Sequence, residues 1–385
     1  MEIPSPVMGP KKGRGVRGAW RGVALAGLLS LAACGDADRR PAAADASGSA
    51  DAVAGPTDAG PTDVPGLDRD GGAYLPPRLY PVAVHDGYRV RDRGRGIEFP
   101  IKVRYPRGAT GPLPLVVLSH GGGASPRGHE ALEGWGEAFA RAGYVAINMA
   151  HVGADVPASV CTTLGAPVTE CELDDFQREV AMGGTLPPTI YYRPFDARAV
   201  LDDLAGIEAA VGVQIDRARM GLGGHSAGTQ TPMRAAGATV DVSASARAVR
   251  SPEARFRAFF AASPQGIGRL GFTATSWASI TAPMLVLTGS ADNSEGEQAS
   301  ARRDAFRGMR GPDKYELFLD TPGSVHGLFS LGHEVPSEAT LGPILASTGV
   351  AFMDAYLRDS DAARAWLASN AVARWTSGVA TLSSR

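Results

Sequence analysis

The sequence predicts an α/β domain with a doubly wound, mostly parallel sheet. Continuous apolar runs at residues 113–119, 144–149 and 284–288 are typical of strands buried on both faces, as in parallel sheets. Helical patterns lie between them, at residues 130–142 and 193–210, where apolar side chains recur at helical spacing. Alternation of strand and helix along the chain favours an α/β fold.

Composition excludes several classes of protein. The chain has 385 residues, 44% of them hydrophobic and 20% charged, and a formal net charge of −2, which is ordinary globular usage. Basic residues cluster only at the N-terminus, so we expect no nucleic-acid partner. No H-E-x-x-H pair and no Rossmann fingerprint after a predicted strand is present, and we expect neither a metal nor a cofactor.

The N-terminus has the pattern of an export signal. Basic residues between Lys11 and Arg21 precede a short apolar run at residues 22–33, whereas a membrane span needs about 20 apolar residues. The run ends in Leu31-Ala32-Ala33-Cys34, which resembles the lipobox of bacterial lipoproteins. We therefore expect residues 1–33 to be a signal peptide and Cys34 to be lipidated; an ordinary signal peptide cut nearby is the alternative.

This interpretation also predicts where the protein resides. Gly35, rather than Asp, follows Cys34, so no inner-membrane retention signal is evident. We expect an exported protein, anchored by its lipid to the outer membrane or the periplasmic face. Residues 34–74 contain few large apolar side chains and cannot bury enough surface to offset their ordering entropy. They are interpreted as a disordered tether to a globular domain at residues 75–385.

Residues 152–192 form a long irregular segment after a predicted strand. Loops of this length are uncommon without a function, and ligands of α/β folds bind beyond the strands' carboxyl ends. We expect a partial cap, in which Phe176, Tyr191 and Tyr192 either contact substrate or simply pack. Cys161 and Cys171 lie in this segment, and a disulfide between them is favoured over two buried thiols in an exported protein.

The pentapeptide Gly224-His225-Ser226-Ala227-Gly228 lies between a predicted strand and a predicted helix. G-x-S-x-G in this setting is the pattern of a nucleophile elbow, in which a strained serine presents its hydroxyl above the sheet. The pattern alone is weak, because glycine and serine are common in loops. Its weight depends on whether the chain also supplies a base, an acid and an oxyanion hole.

A base and an acid follow in the order that such hydrolases use, Ser, then Asp or Glu, then His. Asp292 follows the predicted strand at residues 284–288, and His326 follows the one at residues 315–319. Alone, Asp292 could form a turn and His326 could be a surface residue. Their joint order predicts that Ser226, Asp292 and His326 form a catalytic triad.

Backbone N–H groups are the expected oxyanion donors, since they need no reorganisation. Ala227 follows the nucleophile, and Gly122 lies in the turn His120-Gly121-Gly122-Gly123, which could also be a plain turn. The other histidines are expected to be structural. His151 is the exception to watch, because it lies at a strand end beside the site.

Several segments together resemble the α/β-hydrolase superfamily and, within it, the bacterial proteins called predicted dienelactone hydrolases. That group is related to the lipoprotein-associated platelet-activating factor acetylhydrolases and to secreted polyester hydrolases. The segments are Leu118-Ser119-His120-Gly121-Gly122-Gly123, Arg193-Pro194-Phe195-Asp196, Asp216-Arg217-Ala218-Arg219-Met220-Gly221, the G-x-S-x-G pentapeptide and Gly289-Ser290-Ala291-Asp292. The similarity covers roughly residues 80–370 and implies an α/β-hydrolase fold.

Two departures narrow what the resemblance implies. True dienelactone hydrolases use a cysteine nucleophile, whereas this chain has Ser226. In the acetylhydrolases the acid follows the strand after the elbow helix, but that place here is Ala261-Ala262-Ser263-Pro264. The acid is therefore Asp292, as in the polyester hydrolases, and a phospholipid substrate is disfavoured.

These inferences predict an exported, monomeric serine hydrolase of small or polymeric carboxylic esters, such as acetyl, short-chain or polyester-like ones. A peptidase or amidase with the same triad is the alternative within enzymes. A surface binding protein on a hydrolase scaffold is the alternative outside them, although such proteins usually lose a triad member.

Overall fold

The computed structural model describes residues 72–152, 186–294 and 296–385. The predicted signal peptide, Cys34, nearly all of the tether, Cys161, Cys171 and Phe176 lie outside these residues, as does most of the predicted cap. Within the three described ranges, no helix is long and apolar enough to cross a membrane.

A nine-stranded sheet forms the centre of the described structure. The described residues contain eleven strands, nine of them in this sheet: β1 (Val82–Asp92), β2 (Ile97–Pro106), β3 (Leu113–Ser119), β4 (Val145–Met149), β5 (Ile215–His225), β6 (Thr239–Val240), β7 (Val249–Arg250), β8 (Ala258–Ala262), β9 (Met284–Gly289), β10 (Lys314–Leu319) and β11 (Ala380–Ser384). Their order in the sheet is β1-β2-β4-β3-β5-β8-β9-β10-β11, and β6 pairs separately with β7. Every pair from β4 to β10 in this order is parallel, while β1, β2 and β11 join antiparallel at the edges. The predicted α/β class with a large, mostly parallel sheet is confirmed.

Helices cover both faces of this sheet. They are α1 (Glu133–Arg141), α2 (Pro188–Tyr191), α3 (Arg193–Asp202), α4 (Leu204–Val211), α5 (Gln230–Ala235), α6 (Asp304–Gly308), α7 (Glu338–Leu357), α8 (Asp361–Leu367) and α9 (Ala371–Trp375). Alternate side chains of β3 enter different hydrophobic clusters, Leu115 and Val117 with α3 to α5, and Val116 and Leu118 with α1, α7 and α8. Because both faces are buried, the strand is a continuous apolar run in the sequence.

The predicted helix at residues 193–210 is wrong at one point, because it is two helices. The chain leaves helical geometry at Asp203, between α3 and α4. The Tyr88 hydroxyl of β1 donates to Asp203 Oδ2 at 3.0 Å, and a Cβ on Gly206 would lie 2.2 Å from that hydroxyl oxygen. The break between the two helices therefore coincides with a close contact with the edge strand.

The C-terminal part contains more structure than the sequence predicted. The long helix α7 begins at Glu338 and includes Pro343. After it, α8 and α9 lead to β11, which pairs antiparallel with β10 and extends the sheet by one strand. The short segment Ala380–Ser384 alternates apolar residues only at Ala380 and Leu382, a pattern too short to predict a strand.

Candidate active site

The carboxyl ends of the parallel strands meet at one edge of the sheet, and the predicted site residues lie there. Ser226 directly follows β5, Asp292 follows β9 by three residues, and His326 lies in the loop after β10. Ser119 and His151 end or follow β3 and β4 at the same edge. This is the edge at which open α/β sheets bind ligands.

Ser226 adopts the strained backbone expected of a nucleophile elbow. Its φ is 52°, in the left-handed region, and a 3-10 helix, Ser226–Thr229, leads from it into α5. A Cβ on Gly224 would lie 2.4 Å from the carbonyl oxygen of Gly228, and one on Gly228 would lie 2.2 Å from that of Ser119. The turn therefore requires both glycines, whereas Ser226 itself is partly exposed.

The structure brings the three predicted triad residues into one hydrogen-bonded chain. Ser226 Oγ lies 2.9 Å from His326 Nε2, and His326 Nδ1 lies 2.9 Å from Asp292 Oδ1. The carboxylate only accepts, so Nδ1 carries the proton and Nε2 is free to accept the serine proton. Asp292 is fully buried, and its Oδ2 accepts from the Thr288 hydroxyl at 2.7 Å.

Ser263 is a residue of this site that the sequence did not reveal. It follows β8, it is fully buried, and its φ is 55°. Its hydroxyl donates to Asp292 Oδ1 at 2.7 Å and lies 2.8 Å from His326 Nδ1. The strand end that lacks a carboxylate therefore supplies a hydroxyl to the acid instead.

A buried arginine, Arg302, binds the backbone of the loops after β8 and β9. Arg302 is fully buried and donates to the carbonyl oxygens of Ser263, Pro264 and Asp292 at 3.1–3.4 Å. It forms an ion pair with Glu297 at 2.8 Å, which offsets the cost of burying its charge. The loops after β8 and β9 are thus fixed to each other.

His225, beside the nucleophile, supports the loop of the base. Its Nε2 donates to the carbonyl oxygen of His326 at 3.1 Å, and the two rings lie 4.9 Å apart. Burial, reinforced by the nearby His326, lowers the pKa of His225 to about 3. His225 is therefore neutral at physiological pH and does not compete with His326 for the proton.

The two predicted oxyanion donors lie on adjoining segments. A Cβ on Gly121 would be only 3.1 Å from Ser226 Cβ, so the glycine-rich turn after β3 lies against the nucleophile. In the described part of the chain, the backbone N–H groups of Gly122 and Ala227 donate to no acceptor. Both are available to a ligand, as an oxyanion hole requires.

A second Ser–His–Asp arrangement lies beside the turn at residues 120–123, called the oxyanion turn below. Ser119 Oγ contacts His151 Nε2 at 2.7 Å, and His151 Nδ1 contacts Asp196 Oδ2 at 2.7 Å. All three side chains are buried, so Ser119 is inaccessible as a nucleophile. Burial raises the pKa of Asp196 to about 6, although the Arg95 guanidinium, 2.6 Å away, acts to lower it. Burial also lowers the pKa of His151 well below its ordinary value. His151 is thus a neutral structural residue.

The remaining candidates for substrate contact are placed as follows. Tyr191 and Tyr192 are partly buried and pack against the core, with the Arg234 guanidinium 4.9 Å from the Tyr191 ring centre. An apolar groove of about 600 Å³ lies between α1 and α7, and neither the triad nor the oxyanion turn lines it. The groove is therefore separate from the candidate site.

A comparison with models of known protein families found no match, and a comparison with curated proteins found none either. Within the described ranges, no group of three or more His, Cys, Asp or Glu side chains is arranged to hold a metal ion. The geometry of the site therefore carries the functional proposal.

Replacing Ser263 with alanine should slow the reaction of Ser226 with a fluorophosphonate about tenfold. The substitution removes a donor from Asp292 Oδ1, the oxygen that orients His326, and a hydrogen bond to a charged group contributes about 1.5–3 kcal/mol. The rate constant of phosphonylation measures the effect. Thr288→Val is the matched control, because it removes the hydrogen-bond donor to Asp292 Oδ2 and leaves the donor to Oδ1 in place. Equal rates for Ser263→Ala and the unaltered protein would show that Ser263 only fills space.

Three buried histidines predict a loss of stability in mild acid. The pKa values of His120, His151 and His225 are lowered in the folded protein, mainly by burial. Below about pH 6.5 the unfolded chain therefore binds protons that the folded chain does not, and stability falls as the pH drops, by about 1.4 kcal/mol per pH unit for each histidine. The raised pKa of Asp196 opposes this by about one proton below pH 6.

Urea unfolding between about pH 7.5 and pH 5.5 measures this dependence. We expect the free energy of unfolding to decrease towards acid, and we expect His225→Gln to reduce the slope by about one proton. A free energy that stays constant or rises on acidification would contradict the neutral state of the three buried histidines.

Proposed function

We propose that this protein is an exported serine hydrolase of carboxylic esters with an α/β-hydrolase fold. One observation carries the proposal: Ser226, on a strained turn, contacts His326, which contacts the buried Asp292. The order Ser, Asp, His at the ends of β5, β9 and β10 supports the fold assignment. So does the nucleophile turn between a strand and a helix.

The proposed reaction begins with attack of Ser226 Oγ on the acyl carbon while His326 Nε2 accepts the hydroxyl proton. The N–H groups of Gly122 and Ala227 donate to the oxyanion that forms, and Asp292 stabilises the imidazolium. The intermediate collapses, the alkoxide leaves with the proton from His326, and an acyl-enzyme is left. Water then attacks the acyl carbon, gives its proton to His326, and releases the acid with Ser226 restored. No cofactor takes part in these steps.

The protein's position is part of the proposal. Cys34 lies outside the described residues, and the lipobox-like sequence before it supports a lipid anchor that holds the catalytic domain at a bacterial membrane. An ester substrate, small or polymeric, would then be hydrolysed at the cell surface or in the periplasm.

Replacing Ser226 with alanine should reduce kcat for p-nitrophenyl esters about 10⁴-fold or more while leaving the protein folded. The nucleophile is lost, whereas alanine fills the same space at a partly exposed position. Turnover of esters from acetyl to long chain, compared with p-nitroanilides of the same acids, measures activity and separates an esterase from an amidase. Substantial activity of Ser226→Ala would contradict the mechanism, and faster anilide than ester turnover would contradict the substrate class.

Replacing Cys34 with alanine in the full chain should release the protein from the membrane fraction of a bacterial host. The reason is that the thiol that would carry the lipid is missing. Incorporation of radioactive palmitate and fractionation of the cells measure the change. Continued lipid labelling of the Cys34→Ala variant would contradict the anchor.

A further inference from the structure

His120, the first residue of the oxyanion turn, makes two hydrogen bonds that fix its ring. Its Nε2 lies 3.2 Å from the backbone nitrogen of His151, which can only donate. Its Nδ1 lies 2.7 Å from the carbonyl oxygen of Gly121, which can only accept. Nε2 must therefore be bare and Nδ1 must carry the proton, so the two partners select one neutral tautomer.

The bond to Gly121 determines where an oxyanion donor points. The carbonyl of Gly121 and the N–H of Gly122 belong to the same planar peptide unit, and no peptide bond in the described ranges is cis. In a trans unit the carbonyl and the N–H point in opposite directions. With the carbonyl held on the His120 ring, the N–H of Gly122 is directed away from that ring and is available to a ligand.

We infer that His120 is a positioning residue of the proposed ester hydrolysis, which aims the Gly122 N–H at the oxyanion by holding the carbonyl of its peptide unit. The inference rests on the proposed function and extends it to a residue that does not touch the substrate.

Close packing and hydrogen bonds surround the ring of His120 and the turn that it begins. A Cβ on Gly128 would lie 2.0 Å from His120 Nε2, so the chain packs directly on the ring. Arg193 is fully buried and donates to the carbonyl oxygens of His120, Gly122 and Gly123 at 2.7, 2.6 and 2.9 Å. The turn is thus held by its carbonyls, and the N–H of Gly122 is left for the substrate.

The second Ser–His–Asp arrangement has a role in this device. His151 supplies the backbone N–H that selects the His120 tautomer, and its own side chain is fixed between Ser119 and Asp196. Burial and the neighbouring His151 and Arg193 lower the pKa of His120 well below its ordinary value. The ring of His120 therefore stays neutral, as the two hydrogen bonds that select its tautomer require.

Two substitutions at one position separate positioning from simple packing. In His120→Asn the amide nitrogen replaces Nδ1 and can still donate to the Gly121 carbonyl. In His120→Gln the longer side chain places its amide near Nε2 and loses that bond. We expect His120→Gln to lower kcat for a p-nitrophenyl ester about 100-fold with little change in KM, and His120→Asn to lower it by less than about tenfold, since one oxyanion donor contributes about 10²–10³ in kcat.

Binding of a trifluoromethyl ketone, which forms a tetrahedral adduct with the serine, is the second readout. We expect its Kd to rise in proportion to the loss of kcat/KM, because both depend on the same N–H, whereas a purely structural defect would not give this proportion. Thermal unfolding checks the fold, and His333→Gln serves as an exposed control. If His120→Gln does not fold, His120→Ser, which is smaller and also loses the bond, replaces it.

The outcomes separate the two proposals. If the unaltered enzyme hydrolyses esters and the folded His120 variants match it in kcat and inhibitor affinity, the inference about His120 is overturned while the proposed function stands. Equal losses in His120→Asn and His120→Gln without a change in ketone affinity also overturn it. An unaltered protein that is inert towards every ester overturns the proposed function, and the inference with it.

Discussion

The contact between the turn at Gly224 to Gly228, which carries Ser226, and the end of β3 is the constraint on which the site depends. Gly228 lies against the carbonyl oxygen of Ser119 at a distance that leaves no room for a side chain, and Gly121 lies tightly against Ser226. This approach places the nucleophile, the Ala227 N–H and the Gly122 N–H on touching segments. A larger residue at Gly228 would separate the nucleophile from the proposed oxyanion donor after β3, even if the triad stayed intact.

Two fully buried arginines then hold the loops that the sheet cannot hold by itself. Arg193 binds the carbonyls of the oxyanion turn, and Arg302 binds those of the loops after β8 and β9. A planar guanidinium with several donors suits this task, because one side chain can satisfy several carbonyls at once. The proposed chemistry thus lies in loops whose backbone is fixed by side chains from neighbouring elements, which is how a preorganised site avoids reorganisation during reaction.

The sequence predicted the parts of the site that follow from order along the chain. Buried strands are visible as apolar runs, and Ser226, Asp292 and His326 follow such runs, so their meeting at one sheet edge could be inferred. Ser263 could not be, because a serine at a strand end has no distinctive pattern, and its role depends on which loops are neighbours. The helix break at Asp203 was equally hidden, since the residue that contacts it, Tyr88, is more than a hundred residues away.

The most direct test of the central claim is to identify the residue that a fluorophosphonate modifies, by mass spectrometry of peptides from the folded protein. We predict a single phosphonyl adduct on Ser226, because among the serines of residues 72–152, 186–294 and 296–385 it alone combines the base, the exposure and the adjoining N–H groups. The buried Ser119 of the second Ser–His–Asp arrangement should stay unmodified. An adduct on another serine, or none on a protein shown to be folded, would contradict the assignment of Ser226 as the nucleophile.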